Sequence, residues 1–242
     1  KALDSDLDTG RLWDDWLDGG LPTAARLTAA CFARAEEYRW RDHSAMRTIA
    51  PPALSDDDGD GAADPPIGAV AAKDAPEADR AYLALQIADR RRSDGHGHPC
   101  IALADVDPDL LRALLRDIAA WRALHSGGDG IAPDDLIRQA LDRRAAPQGL
   151  DRAAADYHAA LDAQAVAHAA ATAIARHDWL ALIALAAAAS RRTYSDMALA
   201  LLSAEPAALP SLLAALRLDR ASLAPLEASL AALPGRSGEG AR

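Results

Sequence analysis

Residues 178–193 read DWLALIALAAAASRRT, and they lie within the longest part of the chain that contains no glycine, residues 150–234. Alanine and leucine dominate this Ala/Leu block, and both residues have a high helix propensity. Proline, which starts or ends helices, interrupts the block at positions 206, 210, 225 and 234. The block therefore predicts an all-α fold that is built from short helices.

Capping signals divide the block further. His177 and Asp178 offer a turn, and Thr193 with Asp196 has the spacing of a capping box. Asp219 is another candidate N-cap. Helices joined by such short turns are expected to pack as an antiparallel stack. The predicted helices of the block are 151–176, 179–190, 197–203, 207–216 and 220–233.

The first 149 residues are also predicted to be mainly helical, with one long interruption. Residues 51–76 are rich in Asp, Gly, Pro and Ala, which indicates a flexible acidic loop. No strand is predicted. The predicted helices are 11–17, 23–47, 77–92, 108–125 and 133–147, and Asp107 is the predicted N-cap of the fourth. The predicted organisation is N-terminal helices (1–50), the acidic loop (51–76), a helical segment (77–149), the Ala/Leu block (150–234) and a flexible tail (235–242).

Two architectures fit this pattern of short helices. Stacked helix pairs form a HEAT-like solenoid, although the block has no fixed repeat period. An orthogonal helical bundle would bury the same helix faces. Aromatic residues make up only 4% of the chain, so we expect leucine and alanine to bring the helix axes close together. Among the five tryptophans, Trp121 and Trp179 are predicted to be buried between helices.

Charge and cysteine content limit the classes of partner. The 242-residue chain has 26 basic and 36 acidic side chains, a net charge of −10, so nucleic-acid binding is disfavoured. No apolar run approaches the length of about 18 residues that a membrane span needs. Cys31 and Cys100 are too few for a disulfide framework. We therefore expect a cytoplasmic protein with reduced cysteines, and the excess of arginine and alanine favours a bacterial origin.

One acidic segment partly matches a calcium-binding loop. Asp56, Asp58 and Asp60 occupy its first, third and fifth positions, where carboxylates bind Ca²⁺. The twelfth position, which requires a bidentate glutamate, is Ile67, and prolines lie where the flanking helices should be. The segment is predicted to be a solvated acidic loop, with calcium binding by the three aspartates as the alternative.

A second candidate metal site is the segment that contains His96, His98 and Cys100. Alternate residues of an extended chain point to one side, so these imidazoles and this thiol could bind one transition metal. No ligand pair such as CxxC or HxxxH completes the coordination, and an exposed turn is the competing interpretation. The chain has no nucleophile elbow and no glycine-rich phosphate loop, so the sequence predicts no catalytic residue and no cofactor.

Two sets of residues are candidates for a partner-binding surface. Trp13 and Trp16 lie in a short amphipathic segment near the start of the chain, where exposed aromatic side chains would mark an interface. Arg90, Arg91 and Arg92 are consecutive and lie at a predicted helix end. These arginines either stabilise the helix C-terminus through its dipole or bind an acidic partner.

Several segments carry a resemblance to a known family. They are RHDWL (176–180), RRTY (191–194) followed by the leucines of 199–202, LLAALRLDR (212–220) and DIAAW (117–121). In these residues the chain resembles an alphaproteobacterial family named domain of unknown function 2336. The resemblance covers about half of the chain and consists of packing patterns. It implies an all-helical, HEAT-like fold and assigns no activity to any residue.

The sequence as a whole predicts an interaction or regulatory scaffold that lacks catalytic activity and binds another protein. One alternative is a metal-dependent protein or enzyme that uses His96, His98 and Cys100. The other is a nucleic-acid binder in which residues 193–216 form a helix-turn-helix-like unit beside Arg191 and Arg192. The identity of the partner and the oligomeric state are not predicted.

Overall fold

The computed structural model describes residues 9–19, 22–48, 76–125, 133–145 and 148–233. Within these ranges the chain forms eleven α-helices and no β-strand, which confirms the predicted all-α class. The candidate calcium ligands Asp56, Asp58 and Asp60 lie outside the described residues, as does the predicted tail. The helices are α1 (Thr9–Asp18), α2 (Pro22–Thr48), α3 (Glu77–Arg90), α4 (Pro108–His125), α5 (Pro133–Ala145), α6 (Leu150–Ala159), α7 (Ala163–Ala175), α8 (Trp179–Ala189), α9 (Tyr194–Ser203), α10 (Leu209–Leu212) and α11 (Ala224–Ala231).

The chain divides into two compact units. Unit 1 comprises Lys1–Ala35 and Arg91–Gly149, and unit 2 comprises Glu36–Arg90 and Leu150–Arg242. Unit 1 therefore contains α1, α4 and α5, unit 2 contains α3 and α6 to α11, and the residues of α2 belong to both. The chain passes from unit 2 to unit 1 after Arg90 and returns to unit 2 at Leu150.

The centre of unit 2 is α8, in which residues 179–187 are all buried. Leu182, Ile183 and Leu185 are completely shielded from solvent. A helix that is apolar all round must be covered on every side. Accordingly α8 packs against α6, α7 and α9. This central helix is enclosed by its neighbours and forms the middle of the unit 2 core.

The core of unit 2 also uses residues from outside the Ala/Leu block. Trp40 of α2 stacks on Trp179, with ring centroids 5.2 Å apart. Its Nε1 donates a hydrogen bond to Ser229 Oγ at 3.0 Å. Leu85 and Ala88 of α3 belong to the same cluster. Trp179 is thus buried as predicted, and the Ala/Leu block does not complete its core alone.

The predicted helix 151–176 is wrong, because the chain forms two helices there. After α6 ends at Ala159, the Asp162 carboxylate accepts hydrogen bonds from the backbone N–H of Gln164 at 2.9 Å and of Ala165 at 2.8 Å. Asp162 is therefore the N-cap of α7, and its φ and ψ are extended instead of helical. An uninterrupted helix would leave this aspartate in a helix interior, which it disfavours.

Some turns of the Ala/Leu block place non-glycine residues in the left-handed backbone region. His177, Arg191 and Arg217 have φ values of 57°, 54° and 54°. At two of these turns a Schellman-type hydrogen bond closes the preceding helix, from Asp178 N to Ala173 O at 2.8 Å and from Arg192 N to Ala187 O at 2.9 Å. The left-handed region costs an L-residue about 1–2 kcal/mol. These turns therefore carry local strain that glycine would avoid.

Arg191→Gly is accordingly expected to be more stable than Arg192→Gly by about 1–2 kcal/mol. Both variants remove one exposed arginine next to the end of α8, so the loss of charge is matched between them. Only Arg191 has a positive φ, so only there does glycine relieve strain. Urea unfolding of the two variants measures the difference, and equal midpoints would contradict it.

The predicted helix 207–216 is also wrong, since this stretch is broken into short pieces. A 3₁₀ turn from Pro206 to Ala208 is followed by the four-residue α10 and by another 3₁₀ turn that ends at Leu216. The left-handed Arg217 then reverses the chain. A recognition helix needs several turns to cross a DNA groove. Residues 193–216 therefore do not form the helix-turn-helix unit of the nucleic-acid alternative.

Unit 1 has a small core of its own. Leu12 and Trp16 of α1 are buried against Leu110 and Leu114 of α4. As the sequence predicts, Asp107 is the N-cap of α4, since its Oδ1 accepts the backbone N–H of Leu110 at 2.8 Å. The aspartate thereby fixes the start of the helix that supplies half of this core.

Candidate functional site

Residues 93–99 form a tight turn around the carboxylate of Asp94. Its Oδ1 accepts the backbone N–H groups of His96 and His98, both at 2.8 Å. These hydrogen bonds, the one from His98 first, lower the pKa of Asp94. Gly97 has a φ of 85°, a conformation that glycine adopts without strain. The turn is exposed, as one of the two interpretations of the sequence predicts.

The candidate metal ligands of this turn do not converge on one point. The imidazole centroids of His96 and His98 are 6.1 Å apart. The Sγ of Cys100 instead faces the carbonyl oxygen of Arg91 at 3.8 Å. Across the described residues, no group of three or more His, Cys, Asp or Glu side chains is arranged to hold a metal ion. The structure thus supplies no assembled ligand set for the metal-dependent alternative.

The basic run that the sequence singles out has one buried member. Arg92 is only 3% exposed. Its carbonyl oxygen accepts a hydrogen bond from Arg34 Nη2 at 3.0 Å, and its Nε lies 3.9 Å from the Asp105 carboxylate. The prediction that Arg92 binds a partner is therefore wrong, because its backbone and side chain make contacts inside unit 1. Arg90 and Arg91 are exposed, as a docking surface requires.

The two N-terminal tryptophans also differ from the prediction. Trp16 is 5% exposed and belongs to the core of unit 1, so it offers no surface to a partner. The amphipathic α1 turns this side chain inward together with Leu12. Trp13 is half-buried and packs against the same cluster. Trp121, which we expected to be buried, is also half-buried and donates its Nε1 hydrogen to Asp15 at 2.8 Å.

Comparison of the chain with models of protein families, with curated proteins and with solved structures finds no match. The likeness of residues 176–233 to domain of unknown function 2336 therefore stays a prediction. None of the helices in the described ranges combines the length and apolar character that crossing a membrane requires.

A polar network lies inside unit 2. The Arg41 guanidinium donates to both carboxylate oxygens of Asp89, at 2.8 and 2.7 Å, and to Glu37 Oε1 at 3.2 Å. Glu37 is 1% exposed and also accepts a hydrogen bond from the Tyr194 hydroxyl at 3.1 Å. Burial alone would lower the pKa of Arg41, but Tyr194, Asp89 and Glu37 raise it. The guanidinium therefore remains charged between its partners and binds α2 to α3.

A second polar contact in unit 2 joins Tyr82 of α3 to the turn before α8. The Tyr82 hydroxyl donates to Asp178 Oδ2 at 2.5 Å, while Asp178 Oδ1 caps α8 by accepting Ala181 N at 3.1 Å. Tyr157 packs on Tyr82 with ring centroids 5.4 Å apart. Burial, and then the hydrogen bond to Asp178, raises the pKa of Tyr82 to about 12. Tyr82, Asp178 and Tyr157 thus contact one another, which is typical of a structural role.

The stability of the protein is expected to fall as the pH rises from 10 to about 12. In this window an unfolded Tyr82 loses its proton while the folded one keeps it, so alkali favours unfolding. Tyr157, whose pKa is raised by burial and then by Asp178, adds to this effect. Tyr82→Phe should make the decline shallower. Urea unfolding at a series of pH values tests this, and identical profiles for the variant and the wild type would refute it.

The solvent-facing side of α3 combines apolar and basic side chains. Leu83 and Ile87 are 49% and 43% exposed, and Arg80 and Arg90 lie on the same side. We call these four residues the α3 outer face. Of these four residues, the sequence pattern points only to Arg90, as a member of the basic run 90–92. The sequence does carry a signal for this face, since Leu83 and Ile87 are an apolar pair four residues apart on the side of the helix away from the core.

Proposed function

We propose that this chain is a non-catalytic protein interaction module. The observation that supports the proposal is the set of large apolar side chains on outer helix faces. Moving a fully exposed side chain of this kind into an interface contributes about 1.5–3 kcal/mol, and a half-exposed one contributes proportionally less. Single exposed apolar residues are common, so the adjacent pair on the α3 outer face is the more informative case. The described residues with this property are Leu17, Phe32, Leu83, Ile87, Leu103, Leu124 and Leu199.

Phe32 gives independent support from unit 1. It is the only phenylalanine in the chain, and it is 63% exposed on α2. The neighbouring positions Ala25, Ala29 and Ala35 are small and also exposed, so the aromatic ring protrudes from the helix surface. Aromatic side chains that project in this way are enriched at the centres of protein interfaces.

The proposed setting is the cytoplasm of a bacterium. Cys31 is exposed and Cys100 is half-buried, and both are free thiols, which suits a reducing compartment. The excess of arginine over lysine and the high alanine content support a bacterial source. The proposed relationship to domain of unknown function 2336 rests on the packing patterns of residues 176–233.

Site-specific photo-crosslinking in cells tests the proposed function. A photoreactive amino acid is placed at Phe32 in one variant and at Leu83 in another, with exposed Gln164 of α7 as the matched control. We expect a discrete crosslinked species at one or both apolar positions and none at Gln164. The absence of specific crosslinks at both apolar positions would overturn the proposal.

A further inference from the structure

We draw no further inference here: the strongest candidate, the α3 outer face, has the exposed acidic residues Glu77 and Asp79 beside its arginines, and nothing in the structure shows what covers its exposed apolar pair.

Discussion

Replacing Arg41 with methionine is expected to lower the free energy of unfolding by about 3–5 kcal/mol. The substitution keeps an unbranched side chain but removes the cation that binds Asp89 and Glu37. Their side chains are only 14% and 1% exposed, so water compensates little for the loss. Urea unfolding followed by circular dichroism measures the change.

Arg39→Met is the matched control on the same helix. Arg39 also pairs with a glutamate, Glu36, but its side chain is 52% exposed. An exposed ion pair contributes about 0–1 kcal/mol, so the free energy of unfolding of this variant should be close to that of the wild type. Similar losses for Arg39→Met and Arg41→Met would contradict a special role for the buried network.

Leu182→Ala is expected to destabilise the protein by about 2–5 kcal/mol. Leu182 lies at the centre of α8 and is completely shielded from solvent. The loss combines the removed apolar contact with the cost of the cavity, which the close-packed neighbouring helices cannot fill. Thermal and urea unfolding should both show the change.

The control for this variant is Leu199→Ala. Leu199 lies on α9, which packs against α8, but it is 38% exposed. Its removal leaves no closed cavity, so we expect a loss below about 1 kcal/mol. If both leucines proved equally costly, α8 would not be the centre of the core.

The sequence predicts the helices well where a polar residue marks their start. Asp107 and Thr193 each accept the predicted capping hydrogen bond, and Asp178, predicted only as part of a turn, caps α8. The prediction of helix boundaries fails where the sequence carries no clear capping or helix-breaking residue. Asp162 lies in an alanine-rich run with no glycine or proline beside it, so the break before α7 is hidden. Around Pro210 the propensity for helix is high, yet the chain forms short 3₁₀ and α turns.

The candidate sites were harder to predict because they depend on contacts between distant parts of the chain. The spacing of Glu37 and Arg41 indicates a local ion pair, but Asp89 is 48 residues beyond Arg41, and Tyr194 is 157 residues beyond Glu37. Trp13 and Trp16 are three residues apart on one side of α1, and both contact the core of unit 1. The spacing shows that they share a side, but the partner of that side is α4, which begins about 90 residues later in the chain and is not marked by any local pattern.

Unit 2 is interrupted in the chain by most of unit 1, and this affects the order of events during synthesis. Trp40 and Ser229, which share a hydrogen bond, are separated by 189 residues. A ribosome releases α3 and the second half of α2 before α6 and α8, which pack against α3, have been translated. Nascent chains with uncovered apolar surface are prone to aggregation and to chaperone binding. Trp40 therefore lacks its hydrogen-bond partner Ser229 until 189 further residues have been translated.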